Sequence, residues 1–254
     1  MKKEEIEKIR NYKVVKSNEL IQKTKFELSL AEQKAIAYIC SKIKPCKNNE
    51  YILEYEFDIR EYCKICGIDY NNGKNYINVK ENLKKLSDRS MWLSFDNGDD
   101  VLCRWLSKVR TNKKSGIAHI KIDEDLAPYL FNLKQKFTEY ELYNILGMKS
   151  GFSQRLYEIL KSYEFKKIII FDLDKLKEML NVQNVKSYVN FKDFRKYVIE
   201  IAIKEINELT DIDIKYDTEL KGKKVIKIIF YIEKKRPLDR AIAQMTTEEL
   251  INKK

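Results

Sequence analysis

The residues best equipped for chemistry in this chain are few and badly spaced for it. His119 is the only histidine among 254 residues, and it stands in an alternating stretch, Ile117-Ala-His-Ile-Lys-Ile122. A metal-dependent rolling-circle nicking enzyme needs paired histidines to hold its ion, so that class is nearly excluded. His119 is read instead as a strand residue facing solvent or a neighbour. Cys63 and Cys66 form a Cys-x-x-Cys pair, but a structural zinc site needs four ligands. The other candidates, Cys40, Cys46, Cys103 and His119, supply no second matching pair. At spacing i, i+3 both thiols read as small core residues. The segment Gly67-Ile-Asp-Tyr-Asn-Asn-Gly73-Lys74-Asn75 evokes a phosphate loop, yet five residues separate its glycines where four are needed. Asn75 also stands where Ser or Thr should bind magnesium. Sixteen tyrosines offer no nucleophile that spacing can single out. No catalytic residue, metal or cofactor is expected.

Binding is the better use for the charge. Lys and Arg number 50 against 39 Asp and Glu, giving +11 and a pI near 9.2. Such a surplus favours a polyanionic partner, nucleic acid or an acidic membrane surface. The longest apolar runs, such as Ala35 to Cys40, are too short to span a bilayer, so no membrane partner is expected. Five cysteines and a start without an export-like apolar stretch read as reduced thiols and a cytoplasmic home.

The elements that must present this charge come in two copies. Around Phe57 the chain runs Tyr-Glu-Phe-Asp-Ile-Arg-Glu-Tyr-Cys; around Phe171 it runs Ile-Ile-Phe-Asp-Leu-Asp-Lys-Leu-Lys. Each reads as a short strand, an Asp58 or Asp172 able to cap a helix, two helical turns, and a Gly67 or Asn181 able to end one. A longer helix follows, with apolar Tyr76, Val79, Leu83 and Leu86 in one copy and Phe191, Phe194, Val198 and Ile201 in the other. Steps of three, four and three mark one helical face in both.

Alternating strands come next. The first copy has Met91 to Phe95, a turn with the hairpin signal Asn97-Gly98, one strand from Val101 to Arg110, the turn Lys113-Lys-Ser-Gly116, and Ile117 to Ile122. The second has Ile212 to Tyr216, a turn from Leu220 to Lys224, and Val225 to Ile232. Helices precede both copies, at Ser29 to Ile43 and Phe152 to Tyr163. Helix, strand, helix, helix, hairpin is the winged-helix order. The expected class is therefore α+β, two tandem winged-helix domains related by an internal repeat.

Charge falls unevenly on that frame. Residues 1–145 carry 27 basic and 22 acidic side chains, and the shorter remainder carries 23 and 17. Lys221, Lys223 and Lys224 sit in the second hairpin turn, where a wing reaches DNA phosphates. Lys192, Arg195 and Lys196 open the second long helix off its apolar stripe, just after Tyr188 and Asn190. A helix entering the major groove presents such N-terminal residues to base edges, where Arg and Asn can bond bidentately. Lys74, Lys80, Lys84 and Lys85 on the first long helix, with Arg89, suit phosphates better than bases, and a plain solvated face serves them equally well.

Taken together these residues resemble the iteron-binding, theta-type plasmid replication initiators. The opening Tyr12-Lys-Val-Val-Lys-Ser-Asn-Glu-Leu-Ile-Gln and Phe26-Glu-Leu-Ser-Leu-Ala-Glu-Gln-Lys are similar to that family's start. Phe137-Thr-Glu-Tyr-Glu-Leu-Tyr and Ser153-Gln-Arg-Leu-Tyr-Glu-Ile-Leu-Lys resemble its domain junction, and Phe191-Lys-Asp-Phe-Arg-Lys-Tyr-Val resembles its second recognition helix. The resemblance covers residues 12–233. It implies binding to directly repeated double-stranded origin sites, origin melting, recruitment of host initiator and replicative helicase, and autoregulation as a homodimer in equilibrium with monomer.

The halves are divided after Ile145. Residues 1–145 are expected to dimerise and contact phosphates, residues 146–233 to read sequence, and residues 234–254 to form a basic appendage. Trp92 and Trp105 either offer a twin an edge or fill the core. On this division residues 146–254 alone stay monomeric and keep weak specific binding. A transcriptional regulator on the same halves is the alternative, and a nonspecific DNA-coating protein a rarer one.

Overall fold

The computed structural model describes residues 3–25, 27–43, 51–94, 98–131 and 136–252. The chain opens with α1 (Lys3–Arg10), strand β1 (Lys13–Ser17), α2 (Asn18–Lys23) and α3 (Leu30–Lys42). Helix α3 starts on a capping box: Ser29 accepts from the Glu32 amide while the Glu32 carboxylate accepts from that of Ser29. The first repeat follows as β2 (Glu54–Asp58), α4 (Ile59–Ile65) and α5 (Gly73–Asp88). Then come β3 (Ser90–Ser94), β4 (Asp100–Arg104), β5 (Leu106–Asn112) and β6 (Ile117–Ile122). Helix α6 (Ala127–Phe131), strand β7 (Phe137–Glu141) and α7 (Tyr143–Leu146) lead to α8 (Gly151–Ser162), which opens the second repeat. That repeat runs β8 (Ile168–Asp172), α9 (Leu173–Met179), α10 (Phe191–Phe194), α11 (Glu200–Leu209), β9 (Ile212–Lys221) and β10 (Lys224–Lys234), and α12 (Pro237–Asn252) closes it.

The two repeats build the same sheet. In the first the strand order is β2-β6-β5 and in the second β8-β10-β9, antiparallel throughout. The turns ending α4 and α9 match as well. Gly67 and Asn181 take positive φ, and the next amides, Ile68 and Val182, bond back five residues to Cys63 and Lys177. The caps differ: Asp58 accepts from the Arg60 and Glu61 amides, whereas Asp172 makes no such bond.

Three expectations need correction. The stretch from Val101 to Arg110 is not one strand. It breaks at Trp105, whose side chain turns into the core, so β3 and β4 form a separate two-stranded ribbon rather than a longer sheet. Trp105 is 3% exposed while Trp92 stands out on the ribbon at 60%. The Asn97 turn signal, like Phe26 and Cys46, lies outside the described residues. The residues after Arg236 are no loose appendage. They form α12, whose Ala243, Thr247 and Ile251 are buried. Its end lies against the first repeat, where a Cβ on Gly67 would run into the Ile251 carbonyl oxygen.

The third concerns the second long helix. Its apolar stripe begins as expected, with Phe194 and Val198 buried, but a π turn over Arg195–Ile199 inserts one residue. Ile199 joins the core, Ala202 and Ile206 continue the stripe, and Ile201 turns out to 41% exposure.

Helix α8 joins the repeats. Glu158 is buried and accepts from Lys16 Nζ of β1 at 2.7 Å and from the Tyr140 hydroxyl of β7. Arg155 donates from Nη2 to the Thr24 carbonyl (2.9 Å) at the end of α2 and from Nε to the Met179 carbonyl (3.3 Å) at the end of α9. One buried guanidinium thus ties the first repeat to the second, and burial lowers its pKa to about 10. Lys34 Nζ bonds the carbonyls of Leu146 and Met148, both at 2.7 Å, closing α7 beneath α3. Among the described residues no helix is long and apolar enough to cross a membrane.

Candidate nucleic-acid interface

Each repeat forms a cleft between the start of its long helix and the turn of its hairpin. In the second, Val189, Asn190, Phe191 and Lys192 face Lys223, Lys224 and Val225 of the turn, and Asp172, Asp174 and Lys177 also line the cleft. The turn is tight because Gly222 supplies φ of +62° between paired Lys221 and Lys224. That hairpin is long, ten residues in β9 and eleven in β10, so its lysines stand clear of the sheet. In the first repeat, Gly73, Tyr76, Ile77 and Lys80 of α5 face Lys113 of the turn between β5 and β6. Arg60 anchors that turn, stacking on Tyr70 at 5.3 Å and donating to the Lys114 carbonyl.

The structure sorts the sequence-derived residues. Lys192, Lys223 and Lys224 are exposed and share one cleft. Lys221 is exposed on the far side of the same turn. Arg195 and Lys196 are exposed one helical turn along, Arg195 Nε lying 3.3 Å from Glu200 and Lys196 over the Tyr197 ring at 5.1 Å. Two residues do something else. Tyr188 is half-buried, its ring edge-on to Phe152 and Phe194, and Asn190 caps α10 by accepting from the Lys192 amide at 3.0 Å. Asn190 Oδ1 is thereby committed to the helix rather than to a base edge. In the first repeat Lys74, Lys80, Lys84 and Lys85 are all exposed on α5; Lys80 alone of these lines the cleft, and Lys84 pairs with Asp88 at 3.2 Å.

Sequence reasoning missed the first wing. Lys113 and Lys114 at its turn, and Lys108 and Arg110 along β5, are exposed on a hairpin equivalent to the second repeat's. The signal was present in Lys113-Lys-Ser-Gly116 but was overshadowed by Asn97-Gly98.

The residues weighed for catalysis take structural places. Cys63 and Cys66 are buried in and just after α4, and burial pushes the Cys63 thiol up to about 12, away from the reactive thiolate. His119 is exposed, with Nδ1 3.9 Å from Glu56 across the strands. Among the described residues no group of three or more His, Cys, Asp or Glu could hold a metal ion.

Two winged helices in tandem, each with an exposed basic turn beside its long helix, define a DNA-binding protein. The comparisons with known proteins say which. The model of the Initiator Replication protein WH1 family matches residues 13–161 and that of the Initiator Rep protein WH2 family matches residues 172–232. The chain belongs to the plasmid replication initiator family. A replication initiation protein of Escherichia coli is 26% identical over 235 residues, covering 89% of this chain and 71% of the relative. An uncharacterised 27.6 kDa protein of the same organism is 23% identical over 228 residues, covering 85% and 94%. The solved structure of domains 2 and 3 of RctB is 11% identical with a TM-score of 0.45, covering 86% of this chain and 85% of that one. The chain is thus a DNA-binding replication initiator rather than a member of an enzyme family.

The exposed guanidinium of Arg195 gives a first test of where bases are read. Arg195→Ala is expected to cost about 1–3 kcal/mol on a preferred duplex and little on random DNA, the signature of a bidentate base contact. Equal losses on both duplexes, in titrations at one salt concentration, would make Arg195 a phosphate contact.

Proposed function

We propose that this initiator binds directly repeated sites at its origin, promotes opening of the duplex there, and recruits the host initiator and replicative helicase in the cytoplasm. As a dimer it represses its own gene. The cleft joining Lys192 to Lys223 and Lys224 carries this reading, because one helix start and one wing turn present their cations on a single face. The second repeat reads bases through Lys192, Arg195 and Lys196 and grips phosphates through Lys221, Lys223 and Lys224. The first repeat adds phosphate contacts from Lys74, Lys80, Lys84 and Lys85, joined by Lys113 and Lys114, and provides the self-association surface. The labour is divided in this way between residues 1–145 and 146–233.

Footprinting of the full chain on the DNA flanking its gene, with sedimentation at the same concentrations, tests this. Protection of tandem direct repeats by monomer, and of an inverted repeat by dimer, is expected. A lone inverted repeat would favour the transcriptional regulator, and equal affinity for random DNA would favour a coating protein. The full chain is the object to use, since a fragment starting at residue 146 would lay open the Glu158 and Arg155 face of α8.

A further inference from the structure

Each of the two clefts holds one large aliphatic side chain in the open. In the first it is Ile77, 57% exposed beside Gly73, Lys80 and Lys113. In the second it is Val189, 76% exposed beside Asn190, Lys192, Lys223 and Lys224. The other apolar residues lining these clefts are buried or half-buried. Neither Ile77 nor Val189 belongs to the core or packs against it.

A scattered exposed aliphatic needs no explanation. These two are placed differently, Ile77 near the start of α5 and Val189 just ahead of the Asn190 cap of α10, each in a cleft with the wing turn of its own repeat and bordered by lysines. A polyanion drawn to those lysines meets the aliphatic tip at the same moment. That tip cannot bond a phosphate oxygen. On a major-groove floor the apolar feature it can cover is the 5-methyl group of thymine, which cytosine, guanine and adenine lack.

We propose that Ile77 and Val189 are specificity-determining residues, each packing on the 5-methyl of a thymine, so that both repeats require an A·T pair at one position. The proposal rests on the helix-in-groove reading above and adds a base identity to it. It also gives the first repeat a part in sequence reading beyond its phosphate contacts.

The test uses the full chain and a duplex enriched by it from a random-sequence pool. Each thymine of that duplex is replaced in turn by deoxyuridine, which removes the methyl and leaves the Watson–Crick edge intact. One replacement should weaken binding about fourfold through Ile77 and another about fourfold through Val189, the worth of one methyl-sized group withdrawn from water. Ile77→Ala should abolish the first loss and leave the second, and Val189→Ala should do the reverse. Both side chains are exposed, so folding and the salt dependence of binding should stay as in the parent. Deoxyuridine losses that persist undiminished in both variants would assign methyl reading to other residues and overturn the proposal. An absence of any deoxyuridine effect would overturn it too, with helix-in-groove recognition left standing by the enriched sequence. A pool without any preferred sequence would overturn the reading beneath it.

Discussion

Lys16→Met should lower the stability of this protein by about 3–5 kcal/mol, the usual cost of leaving one member of a buried ion pair without its partner. Lys16 and Glu158 are both about 5% exposed or less and lie 2.7 Å apart. Burial alone would push the Glu158 carboxyl up. The Lys16 charge and hydrogen bond, the Tyr140 hydrogen bond and the Arg155 charge together outweigh it and hold the group below the ordinary carboxylate range. A depressed folded pKa contributes stability that is full above the unfolded value and fades as pH falls through the folded one, so the parent should weaken on acidification. In Lys16→Met the largest remaining influence is burial, which raises the pKa. The dependence should invert, the variant gaining stability as pH is lowered from neutrality toward the unfolded carboxylate range. Lys16→Met with Glu158→Leu should recover part of the loss, because it removes both charges of the pair while leaving the Tyr140 hydroxyl without its acceptor and the buried Arg155 without its neighbouring carboxylate. Denaturant titrations across that pH range decide the matter. A loss under about 1 kcal/mol, the size of a surface pair, would show that water reaches this junction in solution.

Neutralising Lys221, Lys223 and Lys224 together should produce the largest change in DNA binding. Each phosphate contact contributes roughly 0.9 to the slope of log affinity against log salt, so three contacts remove about 2.7. The affinity lost between 50 and 200 mM salt should then shrink by roughly 40-fold relative to the parent. Folding should survive and improve slightly, since Lys221 and Lys224 are cross-strand partners of like charge on an exposed turn. Lys113 and Lys114 neutralised in the same way should remove a further share of the slope. An unchanged slope in the triple variant would take the second wing off the DNA.

Much of this interface could be read before any coordinates. The stripe Tyr76, Val79, Leu83 and Leu86 is buried as its spacing required, and Gly67 and Asn181 end their helices with the positive φ such ends need. What escaped was set by partners distant in sequence. Whether the β3–β4 or the β5–β6 turn serves as the first wing depends on which strand pairs with β2; in the case of β6, Lys121 faces Glu54, 67 residues earlier in the chain. Tyr188 and Asn190 looked available to bases because their ring packing and cap bond arise only in the folded chain.

The sequence by itself determined the local elements, their repetition and the basic turns, because helical periodicity, caps and glycine turns act within a few residues. Tertiary structure alone decided three things. It seated Lys16 and Glu158 together inside the junction, 2.7 Å apart. It inserted the π turn that moved Ile201 out and Ile199 in. It also folded α12 back over Gly67. Each of these minimises exposed apolar area or unpaired buried charge across elements far apart in the chain, and such sums are not written in any local pattern.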